Sequence, residues 1–130
     1  MKKIIFLCLM LLGSLQAKVI NQSPSMQIIN STTPIVDIRT PGEWVQTGLL
    51  KRAIPIMFFD ERGGYDVQKF IKELNAKVDT SKPFAIICRT GSRTGMVSEF
   101  LSKDFGYEVI NLKGGMMYAK SKHLPIVKYK

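Results

Sequence analysis

Short β-branched and apolar runs alternate along this chain with segments whose apolar residues recur every three to four positions. Residues 35–39 (Ile-Val-Asp-Ile-Arg), 53–59, 84–88 and 107–112 read as strands. Pro55 puts its strand at a sheet edge, because proline has no N–H for a ladder. Val67, Phe70, Ile71, Leu74 and Val78 fall on one helical face, opposite Gln68, Lys69, Lys72 and Glu73. Met96, Val97, Phe100 and Leu101 mark a second helix, from about Arg93 to near Gly106. A shorter helix starts at Thr40 and runs to about Gly48. Thr40 can cap it, Pro41 suits the first helical position, and Glu43 sits in the first turn. Residues 18–34 are polar and weakly periodic, with Met26, Ile28 and Ile29 expected in a short strand or turn. The alternation of strand and helix predicts an α/β domain with a mainly parallel sheet.

The N-terminus changes the picture of where the protein works. Met1, Lys2 and Lys3 form a positive start, and residues 4–12 are an apolar run of nine. That run is an export-signal core in length and too short to span a bilayer as a helix. Small residues and Ala17 follow, so cleavage is expected after Ala17, with an uncleaved membrane anchor as the alternative. The chain divides on this reading into a signal peptide (residues 1–17), an N-terminal segment (18–34) and the main domain (35–130). The style of the signal points to the bacterial periplasm. Cleavage lowers the net charge from +9 to +7 by removing Lys2 and Lys3, and it removes Cys8, leaving Cys88 as the only cysteine. A lone thiol in an oxidising compartment has no partner within its own chain and stands out as reactive. The basic residues are scattered and form no stripe interleaved with aromatics, so nucleic acid is not the expected partner.

The chemistry concentrates at residues 88–94, Cys-Arg-Thr-Gly-Ser-Arg-Thr. A strand, a tight loop and a helix in that order make an anion cradle. Loop N–H groups point inward, and the helix N-terminus carries partial positive charge. Gly91 lets the loop curl, while Arg89 and Arg93 add fixed positive charge. A thiol at the mouth of such a cradle is expected to ionise readily and act as a nucleophile towards an anionic substrate. The competing reading is a buried structural cysteine at a strand end. His123 is the sole histidine and lies far from Cys88 in sequence. One cysteine, one histidine and scattered carboxylates give no metal-ligand spacing, so neither a metal nor another cofactor is expected.

The loop, with the apolar strand before it and the helix after it, resembles the active-site loop of the rhodanese family. Asp37-x-Arg39 followed by Glu43-Trp44 and Gly48 is similar to the first signature of that family, and Leu112-x-Gly114-Gly115 to the second. Leu124-Pro125-Ile126-Val127 is similar to its C-terminal close. The chain departs from the family at Leu49, where a histidine is usual. It departs again at residues 116–119, where a tryptophan is usual and Tyr118 stands nearby. The resemblance implies a five-stranded, mainly parallel sheet with helices on both faces, and the loop at the carboxyl end of a central strand. It also implies a sulfurtransferase. Cys88 would take a sulfane sulfur from an anionic donor such as thiosulfate or polysulfide and pass it to a thiol, or to cyanide in an assay. Residues 89–94 would cradle the persulfide, and Asp37 and Arg39 would order the strand end in support.

Two rival functions remain open on sequence. A persulfide carrier or sensing module would load sulfur and release it only to a partner protein. A phosphatase of related fold would place one more residue between cysteine and arginine, and here that position holds Thr94.

Overall fold

The computed structural model describes residues 18–130. The expected signal peptide lies outside the described residues. In chain order the elements are β1 (Val19–Gln22), α1 (Met26–Ile29), β2 (Ile35–Asp37), α2 (Pro41–Thr47), β3 (Leu49–Leu50) and β4 (Ile54–Pro55). They continue with α3 (Val67–Lys77), β5 (Phe84–Ile87), α4 (Ser92–Phe105), β6 (Val109–Leu112), α5 (Gly115–Ser121) and β7 (Ile126–Val127).

Five strands form one sheet in the order β1-β6-β5-β2-β4, every neighbouring pair parallel. The central strand β5 is buried along its whole length, as a parallel strand covered on both faces must be. Its side chains alternate between two cores. Phe84, Ile86 and the following Cys88 pack on one face with Phe70 and Leu74 of α3 and Val97 and Leu101 of α4. Ala85 and Ile87 pack on the other with Ile28 and Ile29 of α1 and Met116 and Ala119 of α5. Truncating Leu74 or Leu101, both fully buried, would cost about 2–5 kcal/mol.

The helix signals hold at atomic detail. The Thr40 hydroxyl accepts from Glu43 N–H at 3.3 Å while the Glu43 carboxylate accepts from Thr40 N–H at 3.4 Å, a complete capping box. α3 is capped by Asp66, which accepts from Lys69 N–H at 3.0 Å.

The structure departs from the sequence reading in three places. Of the strand or turn expected at Met26, Ile28 and Ile29, residues 26–29 form the turn, a single helical one, because the Ser25 hydroxyl caps it and Ile28 and Ile29 turn together into the core; the strand lies outside them. The strand of this region is β1, which pairs with β6 at the sheet edge. The strand expected over residues 53–59 is regular only at Ile54–Pro55; beyond it Ile56 N–H donates to the Asp37 carbonyl and Phe58 N–H to the Ile38 carbonyl before the chain turns at Asp60. Finally, β3 and β7 form a small antiparallel ribbon outside the main sheet.

Candidate active site

β5 delivers Cys88 to the carboxyl edge of the sheet, next to β2, where Ile87 pairs with Asp37. Open parallel sheets bind ligands at this edge. The chain then loops through residues 88–91 into α4, a helix of 14 residues whose N-terminus opens on the loop. Gly91 takes φ 95°, a left-handed conformation that costs a residue with a side chain about 1–2 kcal/mol. In that pose its N–H donates to Cys88 Sγ at 3.1 Å. The Thr94 hydroxyl lies 3.5 Å from the same sulfur and 3.2 Å from the Gly91 carbonyl that accepts from it. A donor aimed at the sulfur and the dipole of α4 both favour negative charge there.

The loop rests on α5. Met116 N–H donates to the Cys88 carbonyl at 2.8 Å, and Met117 N–H to the Arg89 carbonyl at 3.0 Å. This contact requires glycine at the start of α5. A Cβ on Gly115, which has φ 58°, would overlap the carbonyl oxygens of both Cys88 and Arg89. Cys88 and Thr94 are fully buried, whereas Arg89, Thr90 and Ser92 are exposed. The sulfur therefore sits beneath its loop rather than at an open mouth.

The two loop arginines have different surroundings. Arg93 turns back onto α2, its Nη1 and Nη2 donating to Glu43 Oε1 at 2.7 Å and Oε2 at 2.8 Å. The Arg93 hydrogen bond, opposed by partial burial and aided by Arg93 charge and by Thr40, holds the Glu43 carboxyl at about 2, against an ordinary 4.5. The same hydrogen bond raises the Arg93 guanidinium above its usual range. Among the described residues Arg89 forms no ion pair, so it supplies the unopposed charge of the loop.

Asp37 and Arg39 form a fully buried ion pair. Arg39 Nε and Nη2 donate to the Asp37 carboxylate at 2.8–3.1 Å. The rest of the guanidinium goes to Thr47 Oγ1 at 2.6 Å and the Gly48 carbonyl at 2.7 Å. Trp44 Nε1 donates to Asp37 Oδ1 at 3.2 Å. Every arm of the pair is used in tying the end of β2 to α2 and Gly48. Trp44 is buried, as expected, with its ring edge-on to Tyr129 at 5.4 Å. Tyr118 packs beside the backbone of Gly114. His123 lies in the turn after α5, its N–H bonded to the Lys120 carbonyl.

A cleft of about 670 Å³ opens beside the loop, between α2 and α5, with Arg89, Met116 and Lys120 among its walls. Sequence reasoning missed this cleft, and although the sequence points to Arg93 folding back to hold the loop, it did not name Glu43 as the partner. A glutamate in a signature segment and an arginine closing the loop were the available clue to the second; nothing in the local pattern indicated the first. Among the described residues no cluster of histidine, cysteine or carboxylate side chains could hold a metal ion.

The rhodanese-like domain family matches residues 22–122, and the chain belongs to that family. YtwF of Bacillus subtilis, provisionally named a sulfurtransferase, is 30% identical over 83 residues, covering 64% of this chain and 69% of that protein. The uncharacterized protein RP600 of Rickettsia prowazekii is 30% identical over 87 residues, covering 65% and 68%. Among solved structures, the polysulfide-sulfur transferase homodimer of Wolinella succinogenes superposes with a TM-score of 0.62 at 19% identity, over 91% of this chain and 85% of that one. A rhodanese-like domain protein from Staphylococcus aureus gives 0.59 at 24% identity, over 85% and 99%. The expected five-stranded sheet with helices on both faces is thus present, here wholly parallel. At family level these relationships support an enzyme of the sulfurtransferase type.

Proposed function

We propose that the protein is a sulfurtransferase that carries a sulfane sulfur on Cys88. The observation that supports this most is the Gly91 N–H directed at Cys88 Sγ, 3.1 Å away, at the N-terminus of α4. The Cys88 thiolate attacks the outer sulfur of thiosulfate or a polysulfide. A new S–S bond forms, the donor's S–S bond breaks, and its electron pair leaves with sulfite or the shortened polysulfide. The charge of the resulting persulfide rests on loop N–H groups and the α4 dipole. Arg89 draws in the anionic donor, while Arg93 braces the loop through Glu43. Because Cys88 is buried, loading requires the loop residues 89–92, of which Arg89, Thr90 and Ser92 are exposed, to give way. An acceptor thiolate then takes the outer sulfur and restores the Cys88 thiolate. The reaction requires neither metal nor organic cofactor.

Phosphate-ester hydrolysis fits this site less well. Arg93, the one arginine of α4's first turn, already spends two donors on Glu43, and Thr94 has no guanidinium to clamp a phosphate. Residues 1–17, read as an export signal, extend the proposal to a periplasmic sulfurtransferase, which cell fractionation with an N-terminal sequence of the mature chain would test.

The functional test is thiosulfate-to-cyanide transfer by wild type and Cys88→Ser. The wild type should turn over repeatedly, and the variant should be inactive. Substantial transfer by Cys88→Ser contradicts the assignment; one loading without turnover would indicate a carrier instead.

A further inference from the structure

A separate cavity of about 240 Å³ lies on the α3–α4 face of the sheet. Phe58, Phe59 and Tyr65 line it from the segment after β4, and Met96, Val97 and Phe100 from α4; no charged side chain does. Part of its wall is built in advance. Phe59 and Tyr65 pair across an antiparallel bridge. The turn between them is closed by Asp60 N–H to the Gly64 carbonyl at 2.8 Å, and by Arg62 and Gly64 N–H to Asp60 Oδ1 at 2.9 and 2.8 Å. This hairpin holds the Tyr65 ring stacked on Phe58, with centroids 5.9 Å apart, although Tyr65 is 65% exposed. Met96 is 60% exposed. Two large apolar side chains are thus kept in water around a concave apolar surface. The cavity adjoins the nucleophile, because Phe58 and Val97 belong both to its lining and to the core cluster that contains Cys88. Ile38 N–H donates to the Ile87 carbonyl and Phe58 N–H to the Ile38 carbonyl, so Cys88, Ile38 and Phe58 lie on successive segments of one face. With such segments about 4.8 Å apart, Phe58 stands about 10 Å from Cys88.

We infer that this cavity is a donor site for elemental sulfur, the uncharged S8 ring, and that the protein opens the ring at Cys88. At about 240 Å³ the space is below the roughly 300 Å³ at which sites for drug-sized ligands begin, which suits one compact ring. S8 has neither charge nor hydrogen-bonding group, and the lining offers no charged partner. Thiosulfate and polysulfide have charged ends that this lining would leave unpaired. Polarisable sulfur packs favourably against aromatic rings, which three segments of the wall supply. The inference rests on Cys88 as the sulfur nucleophile, as proposed above, and adds a donor that a cationic loop alone does not select. When residues 89–92 give way, the Cys88 thiolate attacks one ring sulfur. A bond forms between Cys88 Sγ and that sulfur, and one S–S bond of the ring breaks. Its electron pair goes to the far end of the opened chain, which stays on Cys88 as a terminal sulfur anion. Nothing leaves, and no oxidant, reductant or proton is needed.

The test separates binding from reaction. Cys88→Ser, which cannot open the ring, is mixed with S8 added from acetone and passed through a desalting column, and the retained sulfur is extracted and quantified. It should retain S8 in near-stoichiometric amount. Adding Tyr65→Glu or Met96→Glu to Cys88→Ser places a charge in the cavity and should lower retention about fivefold to tenfold. Val45→Glu is the control for sulfur adhering to any exposed apolar side chain. Val45 is 67% exposed on α2, and its replacement should leave retention unchanged. The folded state of each variant is checked by its denaturation midpoint. Wild type treated with S8 should gain more than one sulfur, up to eight, on Cys88 by intact mass. If Cys88→Ser retains no S8, or if Tyr65→Glu and Met96→Glu lower retention no more than Val45→Glu does, the cavity is not the site. S8 retained by Cys88→Ser but never added to wild-type Cys88 refutes the ring opening. In each of these cases thiosulfate-to-cyanide transfer by the wild type leaves the sulfurtransferase standing. Failure of the wild type to take sulfur from thiosulfate, polysulfide and S8 alike would refute the underlying reading, and the donor site with it.

Discussion

Arg93 and Glu43 are 50 residues apart in sequence and meet through two nitrogen–oxygen contacts of 2.7 and 2.8 Å. The pair ties the first turn of α4, immediately after the nucleophile loop, to the first turn of α2. Glu43 also completes the capping box of α2 with Thr40. One carboxylate therefore fixes a helix start and the arginine that closes the loop.

The Glu43 carboxyl is held at about 2 in the folded protein, against 4.5 ordinarily. A carboxyl lowered on folding contributes stability that is fully present above pH 4.5 and is lost as the pH falls from there towards 2. The pair is partly solvated, with both side chains about one-quarter exposed, which keeps its net contribution near 1 kcal/mol. Glu43→Gln should therefore lower stability by about 1 kcal/mol at pH 7, and the gap from wild type should narrow between pH 4.5 and 2. Urea unfolding of both proteins across that range measures it.

The Asp37–Arg39 pair should behave differently because no solvent reaches it. Asp37→Asn leaves the Arg39 guanidinium buried without a counter-charge and should cost about 3–5 kcal/mol. Replacing both residues, Asp37→Asn with Arg39→Met, should cost less than the single change. Denaturation midpoints of the three proteins test this. Sulfur transfer per folded molecule should persist in Asp37→Asn, since the pair is ordering structure rather than acting on the donor.

Gly115→Ala should damage the loop directly. The added methyl group meets the carbonyl oxygens of Cys88 and Arg89 at a backbone φ of 58°, with an expected cost of about 1–3 kcal/mol. Gly106→Ala is the control: φ is 70°, but a Cβ there has nothing within 4 Å. Both variants should lose stability, and Gly115→Ala alone should lose most of its sulfur loading. Equal loading by the two would remove the case that α5 shapes the loop.

Much of this site is local in sequence, and that part was legible. The shift from an apolar run to helical spacing on either side of Cys88 marks β5, the loop and α4. Thr40, Pro41 and Glu43 spell out the start of α2. The parts that were not legible depend on distant partners. β1 is an edge strand with only partial burial, so it shows little alternation, while Ile28 and Ile29 next to it look strand-like but face one core from a capped turn. The β3–β7 ribbon joins two-residue segments more than 70 positions apart, too short for any periodicity. The burial of Cys88 likewise follows from how tightly Gly91 and Gly115 let three backbone segments approach, which composition alone does not convey.

The central claim is that Cys88 carries a transferable sulfur. It is tested most directly by the intact mass of the purified protein before and after thiosulfate, separately after polysulfide, and again after cyanide. A gain of one sulfur atom located on Cys88, removed by cyanide and absent in Cys88→Ser, is the predicted result, and the two donors are ranked by its extent. No gain with either donor, on a thiol shown to be reduced and reactive, would contradict the claim.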